Sequence, residues 1–107
     1  MEASTGETPV LDLLVRMTAD SVAVSSLEPK ELMLVRIAAL AAVDAPAISY
    51  ATNIEAAAAV GIDAETVSGV LAGIAPIVGT ARVASATGSL VEGLAIELED
   101  LDSYNAN

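Results

Sequence analysis

The segment DAPAISYATNIEAAAAVGIDAETV, residues 44–67, decides the fold. Asp44-Ala45-Pro46 reads as a helix entry, because proline at the first turn gives up an N–H that no helical carbonyl needs. The run Ala56 to Ala59 then places four of the strongest helix formers in a row, as a tightly packed helix requires. Gly61 supplies the left-handed residue that closes a helix, and Asp63, two residues on, can accept the free N–H groups that open the next. The segment therefore predicts a helix over 46–60 and a second starting at 64.

The same punctuation extends in both directions. Thr8-Pro9 and Glu28-Pro29 are helix starts, the latter with Glu31 placed for an imperfect capping box. Pro76 and Gly79-Thr80 separate the last two segments. Five helices follow, over 9–24, 29–43, 46–60, 64–75 and 81–101, within one all-α domain spanning 1–107, with disordered tails at 1–8 and 102–107. Apolar residues recur at helical spacing, as in Val67, Val70, Leu71 and Ile74 or Leu11, Leu14 and Val15, and nowhere alternate in the manner of a strand. Between Leu32 and Val43 only Arg36 is charged. A helix apolar on nearly every side must be covered on every side. Five helices can hardly do this alone, so the sequence predicts a homo-oligomer.

Composition narrows the function. Hydrophobic residues make up 54% of the chain and aromatic residues 2%, so the apolar content is mostly Ala, Val, Leu and Ile. No stretch reaches the roughly 18 consecutive apolar residues of a membrane span, and the acidic start Met1 to Thr8 lacks the pattern of a signal peptide. The expected location is cytoplasmic. Fifteen acidic residues against four basic ones give a charge of −11, which repels a phosphate backbone and argues against nucleic acid. Five of those acids, Glu92, Glu97, Glu99, Asp100 and Asp102, fall in the last sixteen residues as a solvated helix end. With no Cys and no His, thiol, imidazole and soft-metal chemistry are closed, and neither a cofactor nor a metal site is expected. Gly69, Gly73, Gly88 and Gly93 lie inside predicted helices, where each costs about 1 kcal/mol relative to Ala. Close helix packing explains them, or a ligand pressed against the backbone.

The order of these turns resembles the carboxymuconolactone decarboxylase and alkylhydroperoxidase D family. The resemblance is carried by Leu27-Glu28-Pro29-Lys30, the Ala-rich helix after it, Asp44 to Tyr50, Asn53 to Ala59, Val60 to Val67, and Ala75-Pro76-Ile77-Val78-Gly79-Thr80-Ala81-Arg82, over residues 26–95. It implies a five- to six-helix, orthogonally packed all-helical domain that assembles as a trimer or hexamer. It also implies a CxxCxxxH redox segment. Counted back from Gly61, those positions hold Pro46, Ser49 and Asn53, with about one residue of slack in the register. A thiol peroxidase needs a thiolate relayed through histidine, which this chain cannot supply, and the family's decarboxylase branch loses its histidine as well.

Six residues remain as a candidate site: Arg36, Asp44, Ser49, Tyr50, Asn53 and Arg82. Ser49 and Asn53 share a helical face, Tyr50 and Asp44 lie beside them, and the two guanidiniums suit a carboxylate. One reading is a pocket for a small carboxylate ligand. In the other, Arg36 pairs with an acid such as Asp44 or one from a neighbouring subunit, while Ser49, Tyr50 and Asn53 satisfy backbone groups at helix junctions. A polar stripe on the last helix, Arg82, Ser85, Ser89 and Glu92, reads as a solvated or inter-subunit face. Three functions follow from these readings: a cysteine-free family member acting as an oligomeric small-molecule-binding or scaffold protein, a lactone decarboxylase or isomerase using Arg, Tyr and Ser, and a protein-interaction module.

Overall fold

Helix α2, Pro29–Ala42, is the axis around which the chain packs. Its residues Met33, Ile37 and Ala41 recur every four positions, so they line one face, and all three are buried. Met33 and Ile37 meet Ala57 and Ile62 in one core cluster, with Leu34, Val60, Val67 and Val70 packed against it. Ala41 joins Leu71 and Ala86 in a second, flanked by Ile74, Val83 and Leu90.

These clusters hold together a computed structural model that describes the backbone of residues 8–106 and the side chains of residues 8–96. The other helices are α1 (Pro9–Val24), α3 (Ala47–Ala59), α4 (Ala64–Val78) and α5 (Thr80–Ala106). Among the described residues there is no strand, so the expected all-α class is the observed one. The expected tail at 1–8 lies almost wholly outside the described residues, whereas the expected disordered tail at 102–107 is helical backbone as far as Ala106.

Several boundaries differ from expectation, most of all the end of α5, which lies at Ala106 and not at 101. Pro76 lies inside α4 instead of ending it. A proline two residues before the helix end removes one hydrogen bond, to the carbonyl of Ala72, which lies on an exposed stretch open to water. The helix stops at Gly79, whose φ of 91° no L-residue adopts readily. The third helix starts at Ala47, with Pro46 as its N-cap, and α5 begins at Thr80 directly after that glycine.

The first helix departs most from its reading. Its apolar positions appear as expected, yet none of its residues is buried. Leu11, Leu14, Val15 and Met17 are all exposed. The glycines divide as well. A Cβ on Gly93 would sit 2.8 Å from the Ala47 carbonyl oxygen and 3.0 Å from Tyr50 Cβ, so the α3–α5 crossing depends on that missing atom. At Gly69, Gly73 and Gly88 a Cβ would meet nothing within 4 Å. Close packing within the chain accounts for Gly93 alone.

Candidate functional site

Helix α3 carries the site, and two turns fix its ends. At its C-terminus the Gly61 N–H donates to the Ala58 carbonyl at 3.0 Å and the Ile62 N–H to the Ala57 carbonyl at 3.0 Å. This is a Schellman closure, with Gly61 in the left-handed conformation at φ 86°. Before α3, the Asp44 N–H donates to Ala41 at 3.2 Å and the Ala45 N–H to Leu40 at 2.9 Å. The same closure recurs there, but its left-handed residue is Asp44, at φ 57°.

That second turn is braced from α5. Ser85 Oγ donates to Asp44 Oδ1 at 2.6 Å, and Arg82 Nη1 donates to the Ala42 carbonyl at 2.9 Å. Ser85 and Arg82 are three residues apart and so reach the turn from one helical face. Part of the polar stripe expected to face solvent or another subunit is therefore a clamp on the end of α2. Arg36 is used elsewhere. Its Nη2 donates to Ser21 Oγ at 3.1 Å and to the Thr18 carbonyl at 3.4 Å, tying α1 to α2. Among the described residues Arg36 does not pair with Asp44, because the guanidinium turns toward α1 while Asp44 engages Ser85.

Between the helices lies a cavity of about 400 Å³. Of the six residues singled out by sequence, Tyr50 and Asn53 line it; Arg36, Asp44, Ser49 and Arg82 do not. The expected carboxylate pocket is not assembled, since both guanidiniums bond elsewhere. The rest of the wall is chiefly aliphatic and comes from every helix except α1: Ile37 and Leu40, Ile54, Leu71, Leu90 and Leu94. Leu90, Val91 and Leu94 form an apolar stripe at helical spacing on α5, beside the polar residues Ser89 and Glu92.

The polar atoms of the wall differ in what they have left to offer. Asn53 Nδ2 donates to the Ser49 carbonyl at 2.8 Å, one turn back on its own helix. Thr87 Oγ1 donates to the Val83 carbonyl at 2.9 Å. Asp63 caps α4, its Oδ1 accepting from the Thr66 hydroxyl at 2.7 Å and the Thr66 N–H at 2.8 Å. Those bonds, the hydroxyl's first, hold its carboxyl below the ordinary range and keep it ionised. Tyr50 is 2% exposed, and its Oη has no hydrogen-bond partner. Burial, and then the Asp44 carboxylate, push the phenol above its usual value, so it stays protonated as a donor.

The sequence matches the carboxymuconolactone decarboxylase family over residues 8–92. The chain belongs to that family. The match begins before the expected residue 26 and takes in α1, so the solvent-exposed helix is part of the family pattern. At the family's redox positions this member has Pro46 as the N-cap of α3, Ser49 giving its carbonyl to Asn53, and Asn53 on the cavity wall. No curated protein and no solved structure matches the chain. Among the described residues no helix is long and apolar enough to cross a membrane, and no cluster of acids could hold a metal ion.

Proposed function

We propose that the chain is a cysteine-free member of its family that binds a small molecule between its helices and works as a homo-oligomer. The cavity of about 400 Å³ carries the reading, since a pocket of this size with a mainly apolar wall and few polar groups is the usual form of a ligand site. Thiol chemistry is closed to these residues, there being no cysteine, and neither arginine singled out by sequence lines the cavity. Binding is therefore favoured over decarboxylation or isomerisation.

A thermal-shift screen of small molecules tests this, because a ligand bound only by the native state raises the melting temperature. Ala58 lines the cavity at an exposed position, so Ala58→Phe fills space with little strain on the core. Compounds that raise the melting temperature of the wild type should do so far less in the variant. An equal rise in both, or no rise with any compound, counts against the reading.

Self-association is supported by surface. None of the residues of α1 is buried, and Val10, Leu11, Leu13, Leu14, Val15 and Met17 are all exposed on it, an apolar face of the kind that marks an interface. Much of the exposed apolar area is on α1. Light scattering after size exclusion checks the claim, and a monodisperse 10.7 kDa species would defeat it.

A further inference from the structure

We propose that the ligand of this cavity is an uncharged, largely hydrocarbon molecule carrying one hydrogen-bond acceptor, a ketone, ester or ether oxygen, and that Tyr50 Oη is the donor that holds it. The inference rests on the binding reading above and adds the ligand's chemical class. Three observations carry it.

The first is the wall. Ile37, Leu40, Ile54, Leu90 and Leu94 present hydrocarbon, and no Lys or Arg is among the lining residues. A carboxylate seated against this wall would shed part of its hydration without gaining a cation, which disfavours binding. The second is the charge at hand. The lining residue Asp63 stays ionised in a chain of net charge −11, so an anion meets repulsion as well as desolvation. Both features invert the expectation of a carboxylate ligand.

The third is the state of the donors. Asn53 Nδ2 donates to the Ser49 carbonyl and to Thr52 Oγ1, Thr87 donates to the Val83 carbonyl, and the lining Ser68 is at an exposed position where water serves its hydroxyl. Tyr50 Oη has no partner, and water cannot reach it. A buried hydroxyl left this way is costly, and any acceptor delivered to it removes the cost as well as adding a bond. Engagement requires the Tyr50 ring to move so that Oη, now shielded from solvent, faces the cavity that the residue lines. An apolar ligand without an oxygen would fill the space and leave the hydroxyl as it is.

Four matched probes separate these elements: 2-acetylnaphthalene, 2-ethylnaphthalene, 2-naphthoate and 2-(aminomethyl)naphthalene. They share a fused-ring body and differ at one substituent. Each is titrated by heteronuclear NMR into the full chain and into Tyr50→Phe. The ketone should bind the wild type about fivefold more tightly than the hydrocarbon, the scale of one net hydrogen bond. The naphthoate should bind at least about tenfold more weakly than the ketone, since it finds no cation and meets Asp63. The amine should also bind more weakly than the ketone, because Asp63 is exposed and its screened attraction does not offset the ammonium's lost hydration. In Tyr50→Phe the ketone and the hydrocarbon should bind alike, and the ligand-free variant should melt no lower than the wild type.

Tighter binding of the naphthoate or the amine overturns the neutral class. A preference for the ketone that survives in Tyr50→Phe overturns the donor assignment while leaving the cavity reading intact. A lower melting temperature for ligand-free Tyr50→Phe does the same, because it shows that the hydroxyl already has a partner. Failure of all four probes, the hydrocarbon included, removes the binding reading itself.

Discussion

Two turns hold the ends of α3, and they reach one backbone shape by different means. At Gly61 the left-handed residue has no side chain, and the closure is satisfied by the chain's own neighbours, the carbonyls of Ala57 and Ala58. At Asp44 the left-handed residue has a side chain, and it is anchored forty-one positions away by Ser85. The first turn is a local property of sequence. The second is a tertiary one, in which α5 supports a conformation that an L-residue adopts at a cost.

Substitutions can break that contrast. The largest effect is expected from Gly61→Val. A Cβ there meets nothing within 4 Å, so the loss is purely of backbone freedom, about 2 kcal/mol for a β-branched residue held at positive φ. Denaturant unfolding should report it, and a cost near zero would mean that the turn rearranges freely. Ser85→Ala comes next, at about 1 kcal/mol for a net hydrogen bond, and should leave the Gly61 turn untouched. Asp44→Gly is smaller still. It relieves the left-handed residue and loses the serine bond, two opposing effects of about 1 kcal/mol each, so stability should change little. A large loss in Asp44→Gly would show that the brace from α5 outweighs the backbone strain.

The smallest effect is one of pH and belongs to the Gly61 side, where Asp63 opens α4. Its folded-state pKa is lowered, chiefly by the Thr66 hydroxyl. Its stabilisation is therefore complete above the unfolded carboxylate value of about 4 and disappears as the pH falls through the folded value. In Asp63→Asn that part of the acid dependence should be absent. Melting curves of the two proteins should draw together as the pH drops below about 4. A constant gap between them would mean that the ionised carboxylate contributes nothing beyond the neutral cap.

The same contrast explains what the sequence made legible. Glycine before an aspartate is local chemistry, and the boundary it marks at 61–63 was readable without any structure. Asp44 looked like a helix entry and a site residue, since nothing near it in the chain reveals a partner at Ser85. The helices and the apolar stripe of α4, Val67, Val70, Leu71 and Ile74, were readable because their periodicity is local. Pro76 lies inside α4 and does not end it, because its cost depends on how little helix follows it. The candidate site was legible only at Tyr50 and Asn53. Arg36 and Arg82 are ambiguous by nature, because a guanidinium bonds a backbone carbonyl as readily as it bonds a carboxylate, and only the fold says which is within reach. The aliphatic wall went unread because leucines at helical spacing look the same whether they fill a core or line a space.

Helix α1 has one more consequence. It buries none of its residues and is tied to α2 by the hydrogen bonds of Arg36, and a sixteen-residue helix held so lightly is marginal in water. Its amides in an isolated chain should exchange with solvent deuterium almost as fast as those of a peptide, while those of α2 exchange only on wider opening. If a second copy covers α1, the exchange slows in proportion to how much of the chain is assembled. Protection of that helix then varies with dilution, and its stability cannot be stated without a protein concentration.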